Sequence, residues 1–343
     1  MTLWPGADLH RAKKQYLVST HFIIRASINQ MSTAMSYTIH AHEPFLAGLS
    51  RVADSQVDKA LQYLPRPADP EEAIHDIRKR CKKIRAAWRL VRDEVGDQEY
   101  KKRNLFYRDT ARILSDLRDA TATLETLDML EKRFGDAVYK SAFNEVRAAL
   151  EERRDQILPG PEQQEILLEQ VQKRLEKGRK KLNAIPGSTK NWKHTVKSVR
   201  RTYTRARDWQ HELRKKPSAE GIHQWRKRTK YLRYQLRLLK EVWKPLFNPW
   251  RKQMNQLSDY QGDHHDLHEL KPVLQTLDHV STDSRRTLLA LVAQHQQYCF
   301  SMAMPLGERL FAEKPGAFAK RLHTYLNYWG AEPSAPLAVR QTF

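Results

Sequence analysis

His75, Arg78, Lys79, Lys82, Arg85 and Arg89 recur at helical spacings within Glu72–Val95, EAIHDIRKRCKKIRAAWRLVRDEV. At about 100° per residue they fall on one stripe, well away from the apolar stripe of Ile74, Ile77, Cys81, Ile84, Trp88, Val91 and Val95. A guanidinium offers a planar fork to two phosphate oxygens, and an ammonium offers a compact point charge. A row of both, a helical turn apart, is chemistry for a phosphate-rich polyanion. The row is also expensive as a plain solvated face, because like charges at i,i+4 cost about 0.2–0.5 kcal/mol per pair. The only acid between Ile74 and Arg92 is Asp76, which the periodicity directs elsewhere.

The same set returns 148 residues later as His223, Arg226, Lys227, Lys230, Arg233 and Arg237 in Glu220–Trp243. Every member keeps its residue type, whereas core positions change: Ile77 against Trp225, Cys81 against Thr229, Trp88 against Leu236. A helix reused for packing alone would keep its apolar pattern first. Here the polar face is the better matched, which places function on it. Lys197 and Arg201, on the very basic stretch Asn191–Arg214, join the candidate set. His75 and His223 open the two rows, and hydrogen bonding to phosphate is the role expected of them, strengthened if an anion's field protonates the imidazole.

A second, weaker pairing supports the repeat. Asp119 lies 44 residues after His75 and Asp266 lies 43 after His223; Asp116 matches Asp263, and Arg118 matches His265. Asp119 and Asp266 are expected to pair with Arg or Lys and orient the basic rows. The densest ligand cluster is Asp263, His264, His265, Asp266, His268 and Glu269. His264/His268 and His265/Glu269 are i,i+4 pairs of metal-chelating type. The first half has no such histidines, and acids at a helix start also favour its dipole. No metal and no cofactor is therefore expected; His264, His265 and His268 are the ligands if one binds. His75-Asp76 and His265-Asp266 are His-Asp dipeptides of the kind seen in metal-dependent phosphohydrolases, a reading that leaves the 148-residue repeat unexplained. No P-loop, Gly-rich phosphate loop or nucleophile motif accompanies them, so no catalytic residue is assigned.

The whole chain fits a polyanion partner. Its 343 residues carry 61 Lys plus Arg against 40 Asp plus Glu, a net charge of +21, which implies nucleic acid, an acidic membrane surface or another phosphate polymer. Twelve glycines, a wealth of helix formers and little strand-like alternation make the class all-α. The two cysteines, Cys81 and Cys299, form no disulfide framework or CxxC site, so a reducing cytoplasm is the default. No apolar run approaches the roughly 20 residues of a membrane span.

Along the chain, residues 1–40 read as a disordered or extended N-terminus, with a transit-like targeting segment as the alternative. Residues 41–158 read as a first helical-bundle repeat. Its helices are Glu43–Leu64, Glu72–Val95 (capped by Asp69 and Pro70), Gln98–Leu117 leading into Thr121–Arg133, and Val138–Leu158. Pro159-Gly160-Pro161 is the clearest linker. Residues 162–330 read as a second repeat: Glu162–Ile185, Asn191–Arg214, Glu220–Trp243 (capped by Ser218), Trp250–Tyr260, Asp263–Leu277, Thr282–Met304 and Gly316–Trp329. Pro245, Pro249 and Gly262 are expected to break it, and residues 331–343 to fray.

The sequence resembles the conserved-histidine α-helical domain, or CHAD, family over about Glu43–Trp329. The strongest parts are His75-Asp-Ile-Arg-Lys-Arg-Cys-Lys-Lys-Ile-Arg85 and His223-Gln-Trp-Arg-Lys-Arg-Thr-Lys-Tyr-Leu-Arg-Tyr-Gln-Leu236. Leu117-Arg-Asp119 and Gly262-Asp-His-His-Asp266 sit where the family has a small residue followed by an acid. Ser115 stands where glycine is usual, which predicts a tighter turn or a more continuous helix there. The resemblance implies two helical bundles related by a pseudo-twofold axis, a basic groove between them, and binding of inorganic polyphosphate, with targeting to polyphosphate granules in the cytoplasm. The expectation is a binding module rather than an enzyme. A nucleic-acid-binding protein and a metal-dependent phosphohydrolase are the alternatives. The sequence sets no oligomeric state.

Overall fold

Each of the two basic rows begins at a side-chain cap. Asp69 accepts hydrogen bonds from the backbone N–H of Glu71 and Glu72, at 2.9 and 3.0 Å, and Pro70 occupies the first helical position. Ser218 accepts from the N–H of Gly221 at 3.1 Å. The structure, a computed structural model, describes residues 36–41, 43–64, 66–135, 140–180 and 192–331. The extended N-terminus expected for residues 1–40 lies outside them up to residue 35, as does the expected frayed tail beyond Ala331. Residues up to Tyr37 form a unit of their own, of which only Ser36 and Tyr37 are described. The architecture below concerns Thr38 onward.

Every regular element among the described residues is helical. In chain order these are α1 (Phe45–Leu61), α2 (Pro70–Leu90), α3 (Arg92–Val95), α4 (Asp97–Arg112), α5 (Ser115–Phe134), α6 (Lys140–Ile157), α7 (Pro161–Lys180), α8 (Lys193–Lys215), α9 (Ala219–Leu238), α10 (Lys244–Thr276), α11 (Thr282–Leu310) and α12 (Pro315–Ala331), with one 3-10 turn at Lys240–Val242. None of these helices is long and apolar enough to cross a membrane.

Three boundaries differ from expectation. The helix carrying the first row stops at Leu90. Val91 leaves helical geometry, α3 is one short turn, and Gly96 closes it at φ 84°, a conformation that suits a residue without Cβ. Ion pairs re-aim this turn: Arg92 holds Asp97 at 2.6 Å, and Asp93 is held from α8 by Arg201 at 2.8 Å. The chain also breaks between α4 and α5, at Ile113–Leu114, so Ser115 begins a helix rather than continuing one. Conversely, α10 runs unbroken through Pro249, Gly262 and Pro272. Pro245 sits at its first turn, where the missing N–H has no role to lose. Pro249 and Pro272 each remove one i→i−4 donor, and packing along α9 and α11 holds the helix across those gaps.

Packing follows one order twice. Helices α1, α2 and α4 pack together with α7 returning onto α1, and α8, α9 and α10 pack together with α12 returning onto α8. The sequence reading put residues 162–180 with the second group. Instead α7 lies on the first, through Arg66–Glu165 at 2.7 Å, Arg179–Asp58 at 3.2 Å and Arg174 Nε donating to Thr110 Oγ1 at 3.0 Å. Helices α2 and α9 touch each other. Beside them α5 and α6 close on α10 and α11 through Leu127, Leu130, Phe143 and Val146 against Leu267, Leu270, Leu288 and Val292, all fully buried.

Trp88 of α2 and Trp225 of α9 have no exposed surface. Gly307 of α11 admits the Trp225 ring: a Cβ there would stand 2.4 Å from Trp225 Cζ2. Gly307→Ala should therefore destabilise the chain. Overpacking costs about 1–3 kcal/mol, against a helix-propensity gain of about 1 kcal/mol. A urea denaturation midpoint that fails to fall would show that the ring moves aside freely.

Candidate functional site

Helices α2, α5, α9 and α10 wall a cavity of about 600 Å³. From the first row come His75, Arg78, Lys79 and Lys82; from the second come Arg226, Lys230 and Arg233. Arg118 of α5 and His265 of α10 complete the basic lining. Both acids expected to orient the rows, Asp119 and Asp266, are in the wall, joined by Glu125, Asp259 and Asp263.

The arginines are set by the elements beneath them. Arg78 Nη1 donates to the carbonyl of Ala111 at 3.0 Å and to Ser115 Oγ at 2.8 Å. It thus satisfies a carbonyl at the end of α4 where the chain breaks, and Asp119 and Asp116 act on it electrostatically. Arg226 stands over Gly262, the residue that matches Ser115, and faces Asp266 at 3.6 Å, with Asp263 also acting on it. Its Nε is buried with no acceptor within the protein. The histidines follow the same pairing. His75 feels the charge of Arg118, and His223 lies beside His265, with 3.4 Å between their Nδ1 atoms. Arg118 is itself steadied by Glu125 and by Thr121 Oγ1 at 3.2 Å.

Between the rows, cation meets cation. Lys82 is open to the water of the cavity yet surrounded by protein, so its ammonium is desolvated without being sealed off. Burial first, then Arg78 and Arg226, bring its pKa down to about 8. Lys230 is pushed well below the usual lysine range by burial, Arg226 and Lys82. The carboxylates shift the other way. Burial, with Asp266 and Asp259 nearby, raises Asp263 to about 6, and burial raises Asp259 despite Arg233 and Lys230. The imidazoles lose protons: burial takes His265 to about 3 with Arg226 and His223 adding to it, and burial followed by Arg118 or Lys227 lowers His75 and His223. At pH 7 the free cavity thus holds neutral imidazoles and lysines whose ammonium forms are disfavoured, an arrangement that a bound anion would relieve.

Other sequence-singled residues lie elsewhere. Arg85 donates to Asn104 Oδ1 at 3.1 Å, and Arg89 stacks on Tyr231 of α9, its guanidinium 3.9 Å from the ring centre. Lys227 lies beside His223, and Arg237 acts on Lys83 and Arg251, outside the cavity wall. Lys197 and Arg201 pair with Asp93, at 3.4 and 2.8 Å, and Arg201 lines an outer cleft with Arg89, Arg205 and Arg228. Asp76 does not point away from its row: it is buried, and it pairs with Lys79 at 2.6 Å and Arg80 at 2.7 Å. Those two partners outweigh burial and hold its carboxyl below the usual range. His264, His265 and His268 do not join any group of three metal-type ligands among the described residues. His264 is taken to about 4 by burial and by His268. Sequence reasoning left Arg118, Asp259 and Asp263 out of the site; the signal for Arg118 was its match with His265.

A model of the CHAD domain family matches residues 51–275. Among solved structures, the crystal structure of the CHAD domain from the plant Ricinus communis is similar, with a TM-score of 0.46 and 16% identity over 85% of this chain and 93% of that one. No curated protein matches.

Because Lys82 has a folded-state pKa of about 8, below its unfolded value, the unfolded chain binds more protons between that pH and the ordinary lysine range. Stability should rise with pH across this window. Lys82→Met removes the effect. The variant should melt above the parent at pH 7 in low salt, and the gap should close as pH approaches 10.5. A gap that widens instead would mean that the ammonium is stabilised in the fold. Circular dichroism melts at the two pH values decide.

Proposed function

The chain belongs to the CHAD domain family, and from that premise we propose that it binds inorganic polyphosphate in the cavity between α2 and α9. The observation that carries this reading is the convergence of seven residues from two matched rows on one cavity, with Lys82 and Lys230 facing each other across it. Polyphosphate is a slim rod with about one negative charge per phosphate. A volume of about 600 Å³ lies within the roughly 300–1,000 Å³ typical of ligand pockets; it takes a run of phosphates, whereas a nucleic-acid duplex is too wide to enter. Arginine forks bind the non-bridging oxygens, the lysines neutralise charge, and His75 hydrogen-bonds to phosphate from the wall, while His223 lies outside the lining, beside His265.

The repeated order of packing and the repeated pairings of Arg78 with Asp119 and Arg226 with Asp266 support a pseudo-twofold relation between the halves. In it α10 stands for α4 plus α5, α11 for α6 and α12 for α7. The twofold places the two rows on opposite sides of one ligand, a grip rather than a face. The chain acts as a binding module rather than an enzyme and takes its place on polyphosphate granules in the cytoplasm.

Charge reversal at Arg78 and Lys82, or at Arg226 and Lys230, removes charged hydrogen bonds of about 1.5–3 kcal/mol each. Either double variant should bind long-chain polyphosphate at least about tenfold more weakly, by fluorescence competition, with folding checked by circular dichroism. Loss from only one pair would overturn the two-sided grip. Tighter binding of single- or double-stranded DNA at matched salt, uncontested by polyphosphate, would favour nucleic acid. Phosphate released from polyphosphate, and abolished by a chelator, would favour the phosphohydrolase.

The pH dependence has a definite sign. An anion raises the pKa of Lys82 from about 8, so binding takes up a proton above that pH. Above about 6, ionised Asp263 also repels the ligand. Both effects make affinity fall as pH rises from 6 to 9.5, and binding should weaken steeply with salt as counterions are released. Calorimetry in buffers of different ionisation enthalpy measures the proton uptake directly; a flat affinity across that range would separate the lysines from the ligand.

A further inference from the structure

We propose a metal site for a zinc-class divalent ion formed by Asp263 of α10 with His295 and Cys299 of α11. One ligand atom from each of the three lies within 4.8 Å of the others. His295 and Cys299 are an i,i+4 pair on one helical face, with His295 Nε2 and Cys299 Sγ 3.8 Å apart. Two atoms bound to one ion at about 2.0–2.1 Å for nitrogen and about 2.3 Å for sulfur stand roughly that far apart in a tetrahedron. Both side chains are buried, His295 at 3% exposure and Cys299 at none, and His295 Nδ1 has no hydrogen-bond partner. An ion here takes Nε2, the nitrogen that faces Cys299 Sγ, and leaves Nδ1 on the other side of the ring.

The surroundings suit a held ion. The His295 ring is stacked on Tyr298 and edge-on to Phe134, which fixes its plane. The opposing charge is Arg133, whose exposed side chain lies over Tyr298 at 4.2 Å. Binding releases the Cys299 thiol proton to solvent. The thiolate and the Asp263 carboxylate then balance a divalent ion, so the filled site is neutral. The mixed S, N, O donor set favours zinc over magnesium or calcium. Three protein ligands leave one tetrahedral position for water, or for a phosphate oxygen from the cavity that Asp263 also lines; only this last option rests on the polyphosphate reading.

The test uses the full chain, reduced, stripped with chelator and free of polyphosphate. Titration with Co²⁺ should give one equivalent of binding with a near-ultraviolet sulfur-to-cobalt charge-transfer band, displaced by Zn²⁺. Cys299→Ser should abolish that band while Cys81→Ala, at the other cysteine, keeps it. His295→Phe, which preserves the packing, should weaken Co²⁺ more than the roughly 10–100-fold that loss of an outer hydrogen-bond partner costs. In the unmodified chain one equivalent of Zn²⁺ should raise Tm, and chelator should reverse it, a readout that needs no variant to fold. Absence of the thiolate band, its survival in Cys299→Ser, or an unmoved Tm overturns the site. Polyphosphate binding measured on the same stripped protein stands or falls separately.

Discussion

The rest of the fold depends on bringing two like-charged helix faces together across α2 and α9. Lys82 depresses the protonation of Lys230, and Arg226 depresses both. The lysines do not favour association, so the reverse faces and the ends of the rows must supply it. The reverse faces do so with side chains that have no exposed surface: Ile77, Ile84 and Trp88 behind the first row, Trp225, Leu232 and Leu236 behind the second. Burying a large apolar side chain fully contributes about 1.5–3 kcal/mol, more than a screened repulsion between partly hydrated ammonium groups removes. The acids are placed to hold arginines at the edges: Asp119 acts on Arg78 and Asp266 faces Arg226. The lysines between them keep an uncompensated charge for a ligand to meet.

The crossing of the helices also explains why the rows do not reach the cavity whole. From His75 to Arg89 a helix advances about 21 Å, farther than two crossing helices stay in contact. The far ends of the rows secure the crossing instead. Arg89 lies flat on Tyr231 of the partner helix. In the matched position Arg237 acts electrostatically on Lys83, which burial, with Arg80 and Arg237, brings down to about 7.

The rows, their repeat, the caps Asp69 and Ser218 and the all-helical class were legible because each is local: a periodicity, a residue before a turn, a spacing. Features set by the tertiary fold were not. Pro249 and Gly262 read as breaks because propensity sees one helix at a time, while α10 is held between α9 and α11. Lys197 and Arg201 read as ligands from charge alone, and only the folded chain reveals Asp93 against them. Asp76 read as directed away because side-chain reach is absent from a helical wheel. His295 and Cys299 lie some thirty residues from Asp263, beyond any local motif.

The halves match in sequence without being equivalent in readiness. Where Ser115 stands, the chain breaks, and Arg78 spends hydrogen bonds on Ser115 Oγ and the Ala111 carbonyl. Where Gly262 stands, the helix continues, no hydroxyl is offered, and Arg226 retains a buried Nε with no acceptor while Asp266 stays at 3.6 Å. An unpaired buried donor costs about 1–3 kcal/mol, so under the proposed polyphosphate binding the α9 wall would gain more than the α2 wall from a phosphate oxygen. Arg78, already tied down, supplies position; Arg226 supplies the larger change in hydrogen bonding. A single exchange of glycine for serine, distant from either row in sequence, thereby divides one repeated face into a fixed side and a responsive side.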